Sequence, residues 1–112
     1  MRKNIGRLAL AAAVGFAGAG AAYAEETKPT IVLVHGAFAG SSSWNGVIDE
    51  LERDSFHVVA AANPLRGVAS DGAAVSAIVK SVAGPVVLVG HSYGGAVITE
   101  AANGNGNVKA LV

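Results

Sequence analysis

Four short aliphatic runs punctuate this chain, with segments of helical spacing between them. The runs are Thr30–His35, Phe56–Ala61, Val86–Val89 and Val108–Val112. The best of them are continuous and rich in β-branched residues, with no polar residue at every second place. A strand that is apolar on both faces must be covered on both faces, and that is the demand of a parallel sheet. Between the first two runs, Trp44, Val47, Ile48 and Leu51 fall at i, i+3, i+4 and i+7, and Val75, Ile78, Val79 and Val82 repeat that spacing further on. Each set makes one apolar helical face. A third helix is expected from about Ala96 to Ala102, closed by Gly104-Asn105-Gly106-Asn107. Ser43 and Asp71 read as the caps of the first two helices, and Lys80 and Gly84 as the stop of the second. The order βαβαβαβ with short connections predicts an α/β fold, a three-layer parallel sheet with helices on both faces.

The strongest strand runs directly into Gly90-His91-Ser92-Tyr93-Gly94-Gly95. The pattern G-x-S-x-G is weak alone, since a chain of this composition supplies about 0.14 matches by chance. Its position decides the matter. A serine between a buried strand and a helix sits where the chain must reverse, in a strained conformation that projects its side chain from the strand end. Gly90 and Gly94 remove Cβ atoms that would collide across the bend. The next helix directs its amides and positive dipole end towards the place where an oxyanion would form. Ser92 is therefore the candidate nucleophile.

A second signal lies 55 residues upstream of Ser92, at the end of the first strand: His35-Gly36-Ala37-Phe38. Acyl transfer needs two amide donors for its oxyanion, and here two loops are available to supply them. The Tyr93 amide is one candidate and the Ala37 amide the other, with Phe38 as a fallback. Neighbouring parallel strands would bring the two loops together.

Ile31–Phe38 followed by Ser43-Trp44, together with Val87–Gly95, resembles the α/β-hydrolase fold. The closer resemblance is to its small serine-esterase branch, which includes plant methyl esterases and hydroxynitrile lyases. It covers residues 30–112 and corresponds to the N-terminal half or less of such a domain. The resemblance implies a Ser, acid and His triad in that chain order, a small-molecule ester substrate, and no metal or organic cofactor. It supports Ser92 as nucleophile of a carboxylic-ester hydrolase and the amides of Ala37 and Tyr93 as its oxyanion hole. After Ser92 the chain carries no Asp, no His and one acid, Glu100. The triad is thus expected to be incomplete within these residues, either because they belong to a longer protein or because the gene is truncated, and residues 25–112 alone are expected to turn over little or no ester. Two other readings compete: a non-catalytic remnant that pairs with another chain through its open sheet edge, and lyase or perhydrolase chemistry on the same scaffold.

The N-terminus reads as an export signal. Arg2, Lys3 and Arg7 precede the uncharged run Leu8–Ala22, and Ala22-Tyr23-Ala24 offers small residues at a cleavage site. That run is shorter than the roughly 20 residues needed to cross a bilayer. The expected layout is a secretory signal peptide over 1–24 and an incomplete hydrolase domain over 25–112, exported to the periplasm or medium with no stable membrane insertion. Beyond Ala24, five bases face eight acids, a net charge of −3. No basic patch remains for nucleic acid, and the absence of cysteine excludes disulfides, thiolate metal sites and a cysteine nucleophile. No G-K-[ST] or G-x-x-G pattern follows the Gly-rich loops, which excludes a nucleotide site.

The remaining polar residues read as structural. His91 is expected to pack into the fold, His35 to hold the proposed oxyanion loop, and His57 to begin the second strand. Trp44 is expected in the core, with a place at the site's mouth as the alternative. Asn63, Leu65 and Arg66 read as turn chemistry beside the ligand-facing end of the sheet.

Overall fold

The computed structural model describes residues 28–112. The expected signal peptide over 1–24, and its boundary with the domain, lie outside the described residues. Strands β1 (Thr30–Val34), β2 (Val58–Ala61), β3 (Val86–Gly90) and β4 (Val108–Leu111) alternate with helices α1 (Asn45–Arg53), α2 (Val68–Ser81) and α3 (Tyr93–Ala102). A short 3-10 turn, Ser41–Trp44, precedes α1. No helix among the described residues is long and apolar enough to cross a membrane.

The strands form one parallel sheet in the order β2-β1-β3-β4. Val34 is level with Ala61 of β2 and with Gly90 of β3, so three strands end at one rim. From β1 the chain steps outward to β2, then returns to place β3 on the other side of β1. The direction of winding thus reverses between β1 and β3. In open α/β sheets that reversal leaves a crevice beyond the carboxyl ends of the strands, because the loops there diverge to opposite sides.

Strand alternation divides the apolar residues between two faces. Val32 and Val34 of β1, Ala61 of β2 and Val86 and Leu88 of β3 pack with Val75 and Val79 of α2 and Val97, Ile98 and Ala101 of α3 in one buried cluster. Ile31 and Leu33 point to the opposite face and are also buried, yet no residue of α1 is fully buried. The Trp44, Val47, Ile48, Leu51 stripe is at most half-buried, and Val47 is 42% exposed.

Three boundaries differ from the sequence reading. Ser43 does not cap α1. It lies inside the 3-10 turn, its Oγ donates to the Gly40 carbonyl (2.7 Å), and Trp44 is the residue before the helix. Asp71 does not cap α2 from outside, because the helix begins three residues earlier, at Val68. Its carboxylate instead reaches back from the first turn to the N–H groups of Arg66 (3.0 Å) and Gly67 (3.4 Å). Finally, α3 starts at Tyr93 rather than Ala96, since the bend before it is already closed by helical-type hydrogen bonds.

Candidate active site

Between the end of β3 at Gly90 and the start of α3 at Tyr93 only His91 and Ser92 intervene. So abrupt a reversal requires a turn. The Gly94 N–H donates to the His91 carbonyl (2.9 Å) and the Gly95 N–H to the Ser92 carbonyl (2.9 Å). Ser92 stands at the second position of that four-residue turn with φ 55° and ψ −123°, the values of a type II′ turn, where glycine is usual. A residue with a side chain held there costs on the order of 1–3 kcal/mol, and persists only where its surroundings leave no alternative. The surroundings are tight. A methyl group on Gly90 would come within 2.5 Å of the Gly94 carbonyl oxygen, while one on Gly94 would strike the Val34 carbonyl oxygen. The Gly90 restriction lies across the bend; the Gly94 restriction lies against β1, where the first turn of α3 rests on the strand end.

Serine before a helix usually caps it with its hydroxyl. Ser92 makes no such bond, because its backbone is outside the extended region that capping needs. The side chain is exposed at the crevice between β1 and β3.

The loop after β1 reaches the same place. The His91 N–H donates to the Val34 carbonyl (3.1 Å), and Gly36 packs so closely that a methyl group there would sit 3.4 Å from Ser92 Cβ and 3.2 Å from the His91 carbonyl oxygen. Ala37 and Phe38 then emerge into solvent. Among the described residues, neither the Ala37 nor the Tyr93 N–H takes part in a backbone hydrogen bond. His35 locks this loop from beneath. It is buried, its Nε2 accepts from the Asn63 N–H (2.9 Å), and the Asn63 side-chain amide donates to the His35 carbonyl (3.2 Å). That acceptor role leaves Nδ1–H to donate to the Gly36 carbonyl (2.8 Å). Both ring nitrogens are occupied, as a structural histidine requires. Asn63, read as turn chemistry, is a buried bracket between the ends of β1 and β2.

Sequence reasoning read Asp71 as a helix cap alone and missed its bond with Tyr93. The residue is fully buried, and the Tyr93 hydroxyl donates to its Oδ2 (2.5 Å). Burial pushes its carboxyl up, but the Tyr93 hydroxyl and the N–H groups of Arg66, Gly67 and Leu65 outweigh it and hold the group below the usual carboxylate range. The same hydrogen bond, with burial and the charge of Asp71, raises the Tyr93 phenol. Leu65, in the loop so held, has φ 59°, uncommon for a branched side chain. An acid in a first helical turn followed by apolar residues was the available signal, but nothing in it pointed to Tyr93.

Beside the turn lies a cleft of about 290 Å³ lined by Ala39, Ser43, Trp44, Val47 and His91. His91 therefore does not pack into the fold. A turn with Ser92 at its second position turns the two neighbouring side chains apart, and the imidazole lies open on the rim. Trp44 is only half-buried and borders the cleft, the alternative place read for it. His57 and Glu100 are exposed, the latter with its stem against Gly72 of α2. No histidine or carboxylate among the described residues is hydrogen-bonded to Ser92, and no group of three or more His, Cys, Asp or Glu among them is arranged to hold a metal.

Comparison with known proteins agrees with this architecture. A model of the Alpha/beta hydrolase family matches residues 31–112. An extracellular alpha/beta-hydrolase from a Paenibacillus species, described as sharing structural and functional homology with tobacco salicylic acid binding protein 2, superposes with a TM-score of 0.65 at 22% identity, covering 74% of this chain and 38% of its own. A pyrethroid hydrolase from Sphingobium faniae JZ-2 gives 0.65 at 28% identity, over 76% of this chain and 38% of that one. The pyrethroid hydrolase PytH gives 0.67 at 26%, over 76% and 39%. The chain thus spans under two-fifths of the length of these solved structures. No curated protein sequence gives a significant match. With a family model that matches residues 31–112, from β1 to Val112, and solved hydrolases that superpose on the same fold, the chain belongs to the Alpha/beta hydrolase family.

Proposed function

We propose that this chain carries the nucleophile half of an exported carboxylic-ester hydrolase. Ser92 Oγ attacks the ester carbonyl, and the amides of Ala37 and Tyr93 receive the charge that develops on its oxygen. The observation that carries the reading is the conformation of Ser92: a non-glycine residue at φ 55° with an exposed hydroxyl that caps nothing. Strain of that kind has no structural return here, since glycine would fit the turn better, whereas a serine fixed there stays open to an acyl group. The two unengaged N–H groups beside it supply the remaining donors.

Deprotonation of Ser92 needs a base. His35 has both nitrogens engaged, the His91 side chain turns away towards the cleft, and His57 precedes β2 at the opposite end of the sheet, so no histidine among the described residues is placed to act as that base. Where a triad member is lacking, oxyanion stabilisation and binding alone retain roughly 10³–10⁴-fold acceleration over water. The chain is therefore expected to hydrolyse a short-chain nitrophenyl ester slowly, with a rate raised by added imidazole, and Ser92→Ala is expected to abolish the imidazole-stimulated part while leaving the slow residual rate. Robust turnover without imidazole, lost in Ser92→Ala, would show that the chain holds its own base. Imidazole-stimulated turnover indifferent to Ser92→Ala would remove Ser92 from the chemistry.

Export rests on the basic start, apolar run and Ala22-Tyr23-Ala24. Secreted protein beginning at Glu25 supports it; retention of Met1 contradicts it. A second reading, a partner-dependent remnant, is favoured by one feature: the edge strand β4 ends at exposed Leu111, followed by exposed Val112. Elution as a folded monomer on gel filtration would count against it.

A further inference from the structure

We propose that Asp71 is a positioning residue for the turn that carries Ser92, acting through the Tyr93 hydroxyl; the inference rests on the reading of Ser92 as nucleophile. Asp71 is fully buried, and no Lys, Arg or His side chain among the described residues bonds to it. A buried carboxylate without a cation keeps its charge only where hydrogen bonds replace its lost water. Its hydrogen bonds show what it holds. One oxygen takes the Arg66 N–H, and the other takes the Gly67 N–H and the Tyr93 hydroxyl. Capping α2 accounts for the two amides and leaves the third bond unexplained.

The third bond spans 22 residues to the side chain that directly follows Ser92. Tyr93 is the first residue of α3, and its own N–H is one of the two open donors beside Ser92. The Ser92–Tyr93 peptide plane is held at its carbonyl by the Gly95 N–H, and a bond at the Tyr93 hydroxyl adds a tether from the side-chain end. An oxyanion donor is effective only when its direction is set in advance. The Asp71–Tyr93 bond supplies that tether and joins it to the 65–67 loop at the same rim of the sheet, where Leu65 is also held at positive φ. Two strained residues on separate loops, Leu65 and Ser92, are thus pinned by one carboxylate.

The test uses the full chain with Tyr93→Phe, which removes only the hydroxyl, Asp71→Asn, and the double variant. Amide exchange by NMR is read at Gly94 and Gly95, whose N–H groups close the Ser92 turn, and the chemical shift is read at the Tyr93 amide. Exchange at both glycines is expected to quicken about tenfold in Tyr93→Phe and in Asp71→Asn. The double variant should be no faster at these sites than the faster single variant, since both substitutions act on the turn through the same Asp71–Tyr93 bond. Unchanged glycine exchange and an unmoved Tyr93 amide in Tyr93→Phe would overturn the proposal, as would additive effects. In the imidazole-assisted ester assay, Tyr93→Phe is expected to lower kcat about tenfold at constant KM; lost stability with kcat intact would mark Asp71 as a cap alone and overturn the proposal. If Ser92→Ala leaves turnover untouched, the nucleophile assignment fails, and the exchange data still decide whether Asp71 holds the turn.

Discussion

The two faces of the sheet are built from similar residues and finished differently. On one face, α2 and α3 close over Val32, Val34, Val86 and Leu88, and Val75, Val79, Val97, Ile98 and Ala101 are buried in return. On the other, Leu33 is as deeply buried, but α1 contributes no fully buried residue and leaves a cleft between Trp44, Val47 and His91. The difference teaches where rigidity comes from in so small a unit. The closed face fixes α3, and α3 fixes the strained Ser92 turn at its N-terminus; the open face leaves a cleft beside that turn.

The largest effect follows from cutting into the closed face. Leu88→Ala is expected to cost about 3 kcal/mol, lost contacts plus an uncollapsed cavity, while Val47→Ala on the open face is expected to cost under about 0.5 kcal/mol. Urea unfolding of the two variants measures the contrast; similar costs would mean that α1 seals its face as firmly as α2 and α3 do theirs. A smaller effect sharpens the link between the closed face and the turn. Ser92→Gly is expected to exceed Ser92→Ala in stability by about 1 kcal/mol, because glycine relieves the positive φ that docking of α3 imposes. Equal unfolding midpoints for the pair would show that the turn is not strained.

The smallest effect concerns Asp71, on the helix side of the closed face. Its carboxyl titrates below the usual range in the folded chain, so its contribution is complete above the unfolded-state pKa and is lost as pH falls through the folded value. Urea midpoints compared near neutral pH and at about pH 3 should fall less in Asp71→Asn than in the unaltered chain. An identical fall in both would show that this carboxylate carries no part of the acid sensitivity.

Much of this was legible in one dimension. Continuous runs such as Ile31–Val34 and Val86–Val89 announce a doubly covered parallel sheet, and the i, i+3, i+4, i+7 spacing of Val75, Ile78, Val79 and Val82 marks the face of α2 turned to it. Gly90 and Gly94 around Ser92 mark the bend. Spacing does not say how completely a face is covered, so the stripe on α1 looked as buried as that on α2. Contacts between distant residues left no pattern at all: Asn63 with His35, and Asp71 with Tyr93, join segments 28 and 22 residues apart. Such pairs exist only once the sheet has brought the strand ends to a common rim.

The most direct measurement is covalent capture of the turn itself. The chain is incubated with a fluorophosphonate in the presence of imidazole, which stands in for the base that Ser92 needs, so that a serine hydroxyl held beside oxyanion donors is phosphonylated. The chain is then digested and weighed. A single adduct on the peptide containing Ser92, formed faster than on any of the Ser41–Ser43 hydroxyls of the neighbouring 3-10 turn and absent from Ser92→Ala, is the predicted result. Adducts spread evenly over the exposed serines, with Ser92 no faster than the rest, would contradict the account.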